Sequence, residues 1–189
     1  MKQLLVLAGC AIILSTIAGC QNADSGVDVI VEGGGQFPQF LVGTWKEDKF
    51  GWEFVFQPDG TISSAVIDGG KIRVNPARKI AATSLKGWGD AVYELGQWLV
   101  QYAPSRRELA VQVVVKHFRI KMEQDGLVME GDSTDWFVGP VSQDAKTWDA
   151  EWYTFRKNIF LTPERTELRH DPNDNPIEFL VFRKQQKTN

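Results

Sequence analysis

The sequence predicts an all-β protein with a single folded domain, and three observations support this prediction. Apolar side chains alternate with polar ones along several segments, as Trp52, Phe54 and Phe56 do, and this period of two is typical of strands with one buried face. Turn sequences such as Asp59-Gly60 separate these segments at short intervals. The chain has 189 residues, and one domain typically takes ~100–200 residues. Many short strands between regular turns indicate an antiparallel sandwich or barrel.

The composition excludes several classes of protein. Hydrophobic residues make up 43% of the chain and charged residues 24%, which are ordinary shares for a globular protein. A disordered tail and a collagen-like fibre are therefore excluded. The formal net charge is −3, and no basic patch in the sequence suggests a nucleic acid as a partner.

The first twenty residues carry a targeting pattern. Lys2 precedes an apolar stretch at residues 4–17, which is too short to span a membrane by itself. Ile17-Ala18-Gly19-Cys20 then resembles the lipobox of bacterial lipoproteins, which implies that the thiol is alkylated with diacylglycerol before cleavage. A second match, ending at Cys10, leaves too few apolar residues ahead of it. A plain cleaved signal and a short membrane anchor are the alternatives.

The lipobox resemblance implies a lipid bilayer as a partner, through acylated Cys20, and a location in the cell envelope. Gln21 rather than Asp follows the cysteine, which resembles the outer-membrane sorting pattern of Gram-negative lipoproteins and favours the periplasmic side of that membrane. With Cys10 removed and Cys20 acylated, no thiol remains for a disulfide, a metal site or a nucleophile. The sequence identifies no protein partner.

The chain divides into four segments. Residues 1–19 are predicted to be the signal peptide, and residues 20–35 the lipidated cysteine with a flexible tether rich in Gly, Asp, Ser and Val. Residues 36–185 are predicted to be the folded domain, and residues 186–189 a tail. No internal repeat or shift in composition indicates a second domain.

Strand patterns recur along the folded domain in order. Thr61–Ile67 follows the first turn, and Trp148, Ala150 and Trp152 share one face of a later strand. Near the end of the domain, one strand face is formed by Ile177, Phe179, Val181 and Arg183.

One segment, Asp90–Tyr102, fits two patterns. Its apolar residues have nearly helical spacing, but Trp98, Val100 and Tyr102 also alternate. Gly96 would cost a helix interior ~1 kcal/mol relative to Ala. We therefore predict a strand for the second half of this segment.

Both ends of the domain resemble the lipocalin and fatty-acid-binding protein superfamily. Phe37–Trp45 ends in Gly43-Thr44-Trp45, Asp59-Gly60-Thr61 follows, and Arg183 closes the last strand pattern. The resemblance implies a single antiparallel up-and-down β-barrel of roughly eight to ten strands. It also implies that Arg183 stacks on Trp45 and seals one end of that barrel, a cation–π contact of ~0.5–2 kcal/mol.

His117 and Arg119 are the candidate ligand-binding residues. Leu109, Val111, Val113 and Val115 occupy one strand phase, and His117 and Arg119 continue that phase. If the phase holds, the two side chains point into the barrel and could bind a carboxylate or phosphate. The alternative is a β-bulge near Lys116 that exchanges the two faces, and this interpretation is favoured.

Other candidate sites have simpler explanations. Trp136, Trp148 and Trp152 could form a carbohydrate platform, but Trp at alternating strand positions is more often core. The acidic pairs that could act in glycoside hydrolysis, Asp149 with Glu151 and Glu130 with Asp132, are more often solvated. The two histidines, His117 and His170, lack metal-ligand spacing. We therefore predict no catalytic residue, no metal and no cofactor, and expect the protein not to be an enzyme.

The expected function is to bind or carry a small apolar or amphipathic ligand in the barrel of a membrane-anchored lipoprotein. The alternatives are a ligand-free envelope interaction module and a carbohydrate-binding β-domain. The interior distinguishes them. An apolar cavity of ~300 Å³ or more favours a carrier, whereas a core filled by Trp and Phe rings favours the interaction module.

Overall fold

A computed structural model describes residues 25–86, 89–122, 127–161, 166–168 and 177–186. The signal segment, Cys20 and His170 lie outside these residues. Besides a short 3₁₀ helix at Gln39–Leu41, the described elements are the strands Val27–Val31 (β1), Gly43–Glu47 (β2), Glu53–Phe56 (β3), Ile62–Ile67 (β4), Ile72–Val74 (β5), Ile80–Leu85 (β6), Gly89–Leu95 (β7), Trp98–Ala103 (β8), Glu108–Met122 (β9), Val128–Pro140 (β10), Thr147–Leu161 (β11), Thr166–Leu168 (β12) and Glu178–Lys184 (β13). None of the helices in these ranges has the length and apolarity needed to cross a membrane.

All thirteen described strands belong to one sheet, which confirms the all-β class. The main path runs β1-β8-β9-β10-β11-β13-β2-β3-β4-β5. The first part of β9 pairs with β8 and the second part with β7, which in turn pairs with β6. The backbone pairing does not form a closed antiparallel barrel. Within the described ranges, β5 and β6 are not paired with each other, and β1 runs parallel to β8.

The predicted tether is corrected at residues 27–31, which form β1. Val27 is fully buried, and Val29 and Val31 pack against the core. The amide of Glu32 extends the pairing by donating to the Tyr102 carbonyl at 2.9 Å. The alternating valines bury one face of this segment and outweigh the Gly-rich and Asp-rich composition on which the tether prediction rested.

The ambiguous segment at residues 90–102 consists of two strands, β7 and β8, on either side of residues 96–97. Gly96 lies between the two strands and donates its amide to the Val114 carbonyl at 2.8 Å. A Cβ at Gly96 would lie 2.5 Å from Val114 Cγ1, so this close approach requires a glycine. The nearly helical spacing of the apolar residues in this segment therefore arises from two strands that are separated by a break at Gly96.

A β-bulge in β9 exchanges its two faces, as the favoured interpretation predicts. Val115 is buried, Lys116 and His117 are both exposed, and Phe118 is buried again. The pairing register of β9 shifts at this point against both neighbouring strands. Val115 pairs with Leu95 of β7 on one side and with Ser133 of β10 on the other. The extra residue bends the strand and turns the following apolar side chains back to the core.

Aromatic rings fill the interior of the curved sheet. Phe54, Phe137 and Phe182 contact one another with ring centroids 5.4–5.7 Å apart. Trp148 stacks on Phe182 at 4.6 Å, and Trp52 packs edge-on to Phe137 at 4.8 Å. These rings belong to the hydrophobic core of the described residues.

The pair predicted to seal the barrel is corrected by one residue. Trp45 is fully buried, but the Arg183 side chain is 61% exposed and lies 3.9 Å from Asp48. Lys184 instead holds its Nζ 5.9 Å from the Trp45 ring centroid. Because Phe182 points into the core and side chains alternate along β13, the inward position two residues later is 184.

Candidate functional site

A polar cleft lies where the aromatic core ends, against the middle of β10 and β11. It encloses about 190 Å³. We use the name polar cleft for the residues that line it, which are Trp52, Asp68, Gly69, Lys71, Ser133, Asp135, Trp152, Thr154 and Arg156. A narrow extension of the cleft adds Tyr93 and Phe118 to its wall.

Strand alternation places most of these side chains. The inward phase of β10 contains Phe137, and the same phase two residues earlier contains Asp135. The inward phase of β11 contains Trp148 and Trp152, and it continues to Arg156. The same face of the sheet is therefore apolar in the core and polar at the cleft, and the alternation of side chains along β10 and β11 continues unchanged between the two.

Asp68 reaches the cleft from the turn after β4. Its backbone has a φ of 51°, and Gly69 and Gly70 follow with φ values of 63° and 82°. Glycine adopts this left-handed conformation freely, whereas an aspartate tolerates it through local hydrogen bonds. Three successive left-handed residues make a tight turn that brings the carboxylate against Tyr93 of β7 and Arg156 of β11.

Asp135 is a buried carboxyl group. Only 5% of the residue is exposed, and the Trp152 indole Nε1 donates to its Oδ1 at 3.0 Å. Burial raises the pKa of Asp135, because the charged form is poorly solvated there. Hydrogen bonds from Thr154 and Trp152 oppose this rise without cancelling it.

Asp68 joins two other side chains in a second buried group. The Tyr93 hydroxyl donates to Asp68 Oδ2 at 2.8 Å, and Arg156 Nη1 donates to Oδ1 at 3.0 Å. The Arg156 guanidinium carbon also lies 4.9 Å from the centroid of the Phe118 ring. Burial, and next the charge of Asp68, raise the pKa of the Tyr93 phenol, so the hydroxyl stays protonated and continues to donate.

Trp52 supplies an unused donor. The residue is 2% exposed, and its indole Nε1 has no hydrogen-bond partner among the residues that the structure describes. A buried N–H without a partner costs roughly 1–3 kcal/mol. Trp52 also lines the polar cleft, but its Nε1 atom is itself buried.

The charges of the polar cleft balance. Two acids, Asp68 and Asp135, face two bases, Lys71 and Arg156. The cleft therefore presents donors, acceptors and two indole rings but no formal excess of either charge. Such a set suits an uncharged molecule with several hydroxyl groups. No cluster of three His, Cys, Asp or Glu side chains able to hold a metal ion occurs in the described part of the chain.

The predicted ligand residues His117 and Arg119 lie outside the cleft. Both are exposed on the outer face of β9, and Arg119 Nη1 pairs with Glu130 Oε1 at 2.9 Å. The inward orientation considered for them is therefore wrong, because the bulge at Lys116 exchanges the faces before they are reached.

The other candidates separate between the two faces of the sheet. Of the proposed tryptophan platform, Trp148 is buried in the core, Trp152 lines the cleft and Trp136 has the phase of the outer face. Trp152 instead pairs with Trp52, whose ring centroid is 5.7 Å away. The acidic candidates do not share the inward-facing positions of β10 and β11. They are Glu130, Asp132, Asp149 and Glu151.

Sequence reasoning missed Asp68, Asp135 and Arg156, although a signal for two of them was present. Asp135 shares the phase of Phe137, and Arg156 shares the phase of Trp152. A charged residue in the core phase must be paired when it is buried. Asp68 had no such signal, since its position depends on how the turn after β4 folds.

Comparisons with protein-family models, with curated proteins and with solved structures found no match for this chain. The fold and the cleft therefore define the class of protein on their own. It is a single-sheet β protein with an aromatic core and a charge-balanced polar cleft at the end of that core.

Proposed function

We propose that the protein binds a small uncharged polyhydroxylated molecule, of the size of one sugar ring, in the polar cleft. The observation that carries this proposal is the charge-balanced set of hydrogen-bonding groups, including the buried Asp135, beside Trp52 and Trp152. Carboxylates accept hydrogen bonds from hydroxyl groups, and the guanidinium and indole groups donate to them. Indole rings cover the apolar face of such a molecule.

The filled interior argues against the carrier of an internal apolar ligand. The rings of Phe54, Phe137 and Phe182 occupy the centre of the molecule. A binding function consequently belongs at the edge of the core, and the chemistry of that edge is polar. This favours the carbohydrate-binding alternative, with Trp52 in place of Trp136 and Trp148.

The test is titration of the protein with methyl α-D-glucopyranoside and with N-acetylglucosamine, followed by tryptophan fluorescence. We expect saturable binding of at least one of them, because two indoles line the polar cleft. Arg156→Gln should weaken that binding about tenfold or more, since a hydrogen bond to a charged group contributes ~1.5–3 kcal/mol.

The matched control is Arg119→Gln, which removes an exposed guanidinium from the outer face of β9. It should leave the affinity unchanged. Equal weakening by both variants, or no saturable binding of either sugar by the folded wild-type protein, would refute the proposed site.

We further propose that the sheet wraps into a barrel of the lipocalin type, closed by side chains rather than by backbone pairing. Three contacts support this. A Cβ at Gly60 would lie 2.7 Å from Val29 Cγ1, so β1 approaches the turn between β3 and β4. The Phe37 ring, in the segment after β1, lies 5.8 Å from the Phe56 ring of β3. The hydrogen bond from Tyr93 to Asp68 links β7 to the end of β4.

Anchoring through acylated Cys20 to the periplasmic side of an outer membrane is also a proposal. It rests on the lipobox resemblance of residues 17–20. In a Gram-negative host, Cys20→Ser should abolish acylation and release the protein from the membrane fraction. Detection of the wild-type protein without acyl chains on Cys20 would refute the anchor.

The ligand-free interaction module remains the second candidate because of one feature. Phe179 and Val181 on the outer face of β13 are 75% and 42% exposed, and Ile177, just before the strand, is 52% exposed. An exposed apolar stripe of this kind is typical of surfaces that contact other proteins. Failure of the sugar titration would favour this candidate.

A further inference from the structure

Four aromatic side chains form one patch on the outer face of the sheet, which is the face opposite to the polar cleft. Trp136 of β10 lies directly across from Tyr153 of β11, and Phe155 follows two residues along the same outward row of β11. Phe179 of β13 pairs with Glu151, two residues before Tyr153. Side chains at these separations are neighbours on one face of a sheet. We use the name outer aromatic patch for Trp136, Tyr153, Phe155 and Phe179.

The same face carries an exposed ring and a groove beside it. Phe155 is 55% exposed, although it lies in the middle of a paired strand. The groove, which we name the outer groove, encloses about 380 Å³. Val138, Asp149, Phe179 and Val181 are among the residues that line it. The outer face therefore contains both an aromatic ring that is open to water and a partly apolar recess that could receive such a ring.

The outward row of β11 has an order of charges that suits a copy of itself running the other way. The row consists of Asp149, Glu151, Tyr153, Phe155 and Lys157. Asp149 and Lys157 lie four residues to either side of Tyr153, about 13 Å from it along the strand. Both are exposed, and neither has a charged partner in the described part of the chain. An antiparallel copy centred on Tyr153 brings each aspartate to a lysine.

We propose that two copies of this chain pack through their outer faces, with their β11 strands antiparallel and a two-fold axis passing at Tyr153. The Phe155 ring of each copy then enters the outer groove of the other, because Phe155 and Glu151 are equally far from Tyr153 and Glu151 borders the groove. Lys157 of each copy pairs with Asp149 of the other. A two-fold axis forms each of these contacts twice.

A second copy fits this face because the face holds both halves of each contact, the ring with its groove and the lysine with its aspartate. Two sheets commonly pack face to face in this manner. The residues of the polar cleft that lie on β10 and β11 belong to the inner face, so this inference does not depend on the proposed sugar site.

The test is sedimentation velocity of the folded protein between about 1 μM and about 200 μM, a range that covers moderate affinities. We expect a reversible dimer that dissociates on dilution. A monomer at every concentration would overturn the proposal, and the outer aromatic patch would then be left to a different partner.

Two variants test the aromatic contact. Phe155→Ser should weaken the dimer about tenfold or more, because the ring is removed from both symmetric contacts. Phe179→Ser changes the wall of the groove at an exposed position and keeps the question answerable if Phe155→Ser does not fold. The matched control is Ile80→Ser, which removes an exposed apolar side chain from β6, outside the patch. It should leave the affinity unchanged, and equal weakening by all three variants would overturn the location of the interface.

The charged contacts are tested by exchange of the two charges. Asp149→Lys and Lys157→Asp should each weaken the dimer several-fold, and the double variant should recover the wild-type affinity. Within one copy the two positions are about 26 Å apart along the strand, which exceeds the Debye length of about 10 Å in 0.1 M salt. Only a contact between copies therefore explains such a recovery. A double variant as weak as the single ones would overturn the antiparallel arrangement.

Discussion

At the scale of single residues, the polar cleft depends on buried polar groups that hold one another in place. Asp135 accepts from Trp152, and Asp68 accepts from both Tyr93 and Arg156. Buried charges of this kind are stable only when paired. Two buried indole N–H groups, those of Trp52 and Trp148, have no described partner, and of these two residues Trp52 lines the polar cleft.

The raised pKa of Asp135 predicts a pH dependence of stability. Because this carboxyl group has a higher pKa in the folded state than its ordinary value of 3.8, folding favours its protonated form. The contribution of the Asp135 carboxyl group to stability is fully present below that ordinary pKa. It is lost as the pH rises through the pKa that the group has in the folded state. Asp135→Asn should therefore gain unfolding free energy relative to the wild type as the pH is raised from 3.8, measured by urea unfolding at successive pH values.

Asp132→Asn is the control for this pH dependence, since it changes an exposed aspartate on the same strand. Its difference from the wild type should stay nearly constant across the same pH range. A constant difference for Asp135→Asn as well would contradict the effect of burial on this carboxyl group.

Tyr93→Phe should destabilise the fold by about 1 kcal/mol, the usual value of one hydrogen bond. The variant removes the hydroxyl that donates to Asp68 and leaves Arg156 as a partner. Urea unfolding measures the change. Tyr102→Phe is the matched control, because that tyrosine is buried to a similar degree but its hydroxyl has no described partner. A similar loss in both variants would mean that the Asp68 contact contributes nothing.

At the scale of elements, the bulge in β9 decides which residues face the core. The inward side chains before it are those of Val111, Val113 and Val115. Those after it are Phe118 and Ile120, which belong to the opposite phase. Gly131 on β10 pairs with Phe118 directly after the shift in register. A one-residue change of phase exchanges every following side chain between the two faces of a strand.

Gly131→Ala should test how closely the strands approach at this bend. A Cβ there would lie 2.0 Å from the Lys157 carbonyl oxygen and 2.7 Å from the Phe118 ring. Overpacking of this kind costs typically 1–3 kcal/mol, and we expect a loss of that size in thermal or urea unfolding. Asp132→Ala, at the adjacent exposed position, should change stability by less than half of that loss. Unchanged stability of Gly131→Ala would contradict the described packing.

At the scale of the whole molecule, the sheet has a well-paired centre and two weaker ends. Strands β9, β10 and β11 pair with one another over most of their length, whereas β5 pairs only with β4 and β6 only with β7 among the described strands. Side-chain contacts, such as that of Tyr93 with Asp68, bridge these ends.

Amide hydrogen exchange should follow this difference. Strands with few paired neighbours open at lower free energy than the rest of the molecule. We expect the amides of β5 and β6 to exchange at least about tenfold faster than those in the centre of β9 to β11, measured by mass spectrometry or NMR. Equal protection across the sheet would instead indicate continuous backbone pairing between β5 and β6.

The sequence was sufficient for many of the strands and for much of the core, although it missed β1 and β7. The alternation of apolar residues predicts strands at two places, one with Trp52, Phe54 and Phe56 and one with Trp148 and Trp152. In the structure these side chains are buried or line the polar cleft. The bulge near Lys116 could also be predicted, because the apolar phase changes there. Period-two patterning is a local property, so it can be read without knowledge of strand pairing.

Only the tertiary structure decided which face of β13 is buried, that β1 joins the sheet, and which residues meet in the polar cleft. The face with Phe179 and Val181 is apolar yet exposed, and the opposite face with Leu180 and Phe182 is buried. Asp68, Tyr93, Asp135 and Arg156 come from separate strands and a turn. Their contacts depend on strand pairing and on the turn after β4, both of which involve interactions between residues far apart in the sequence.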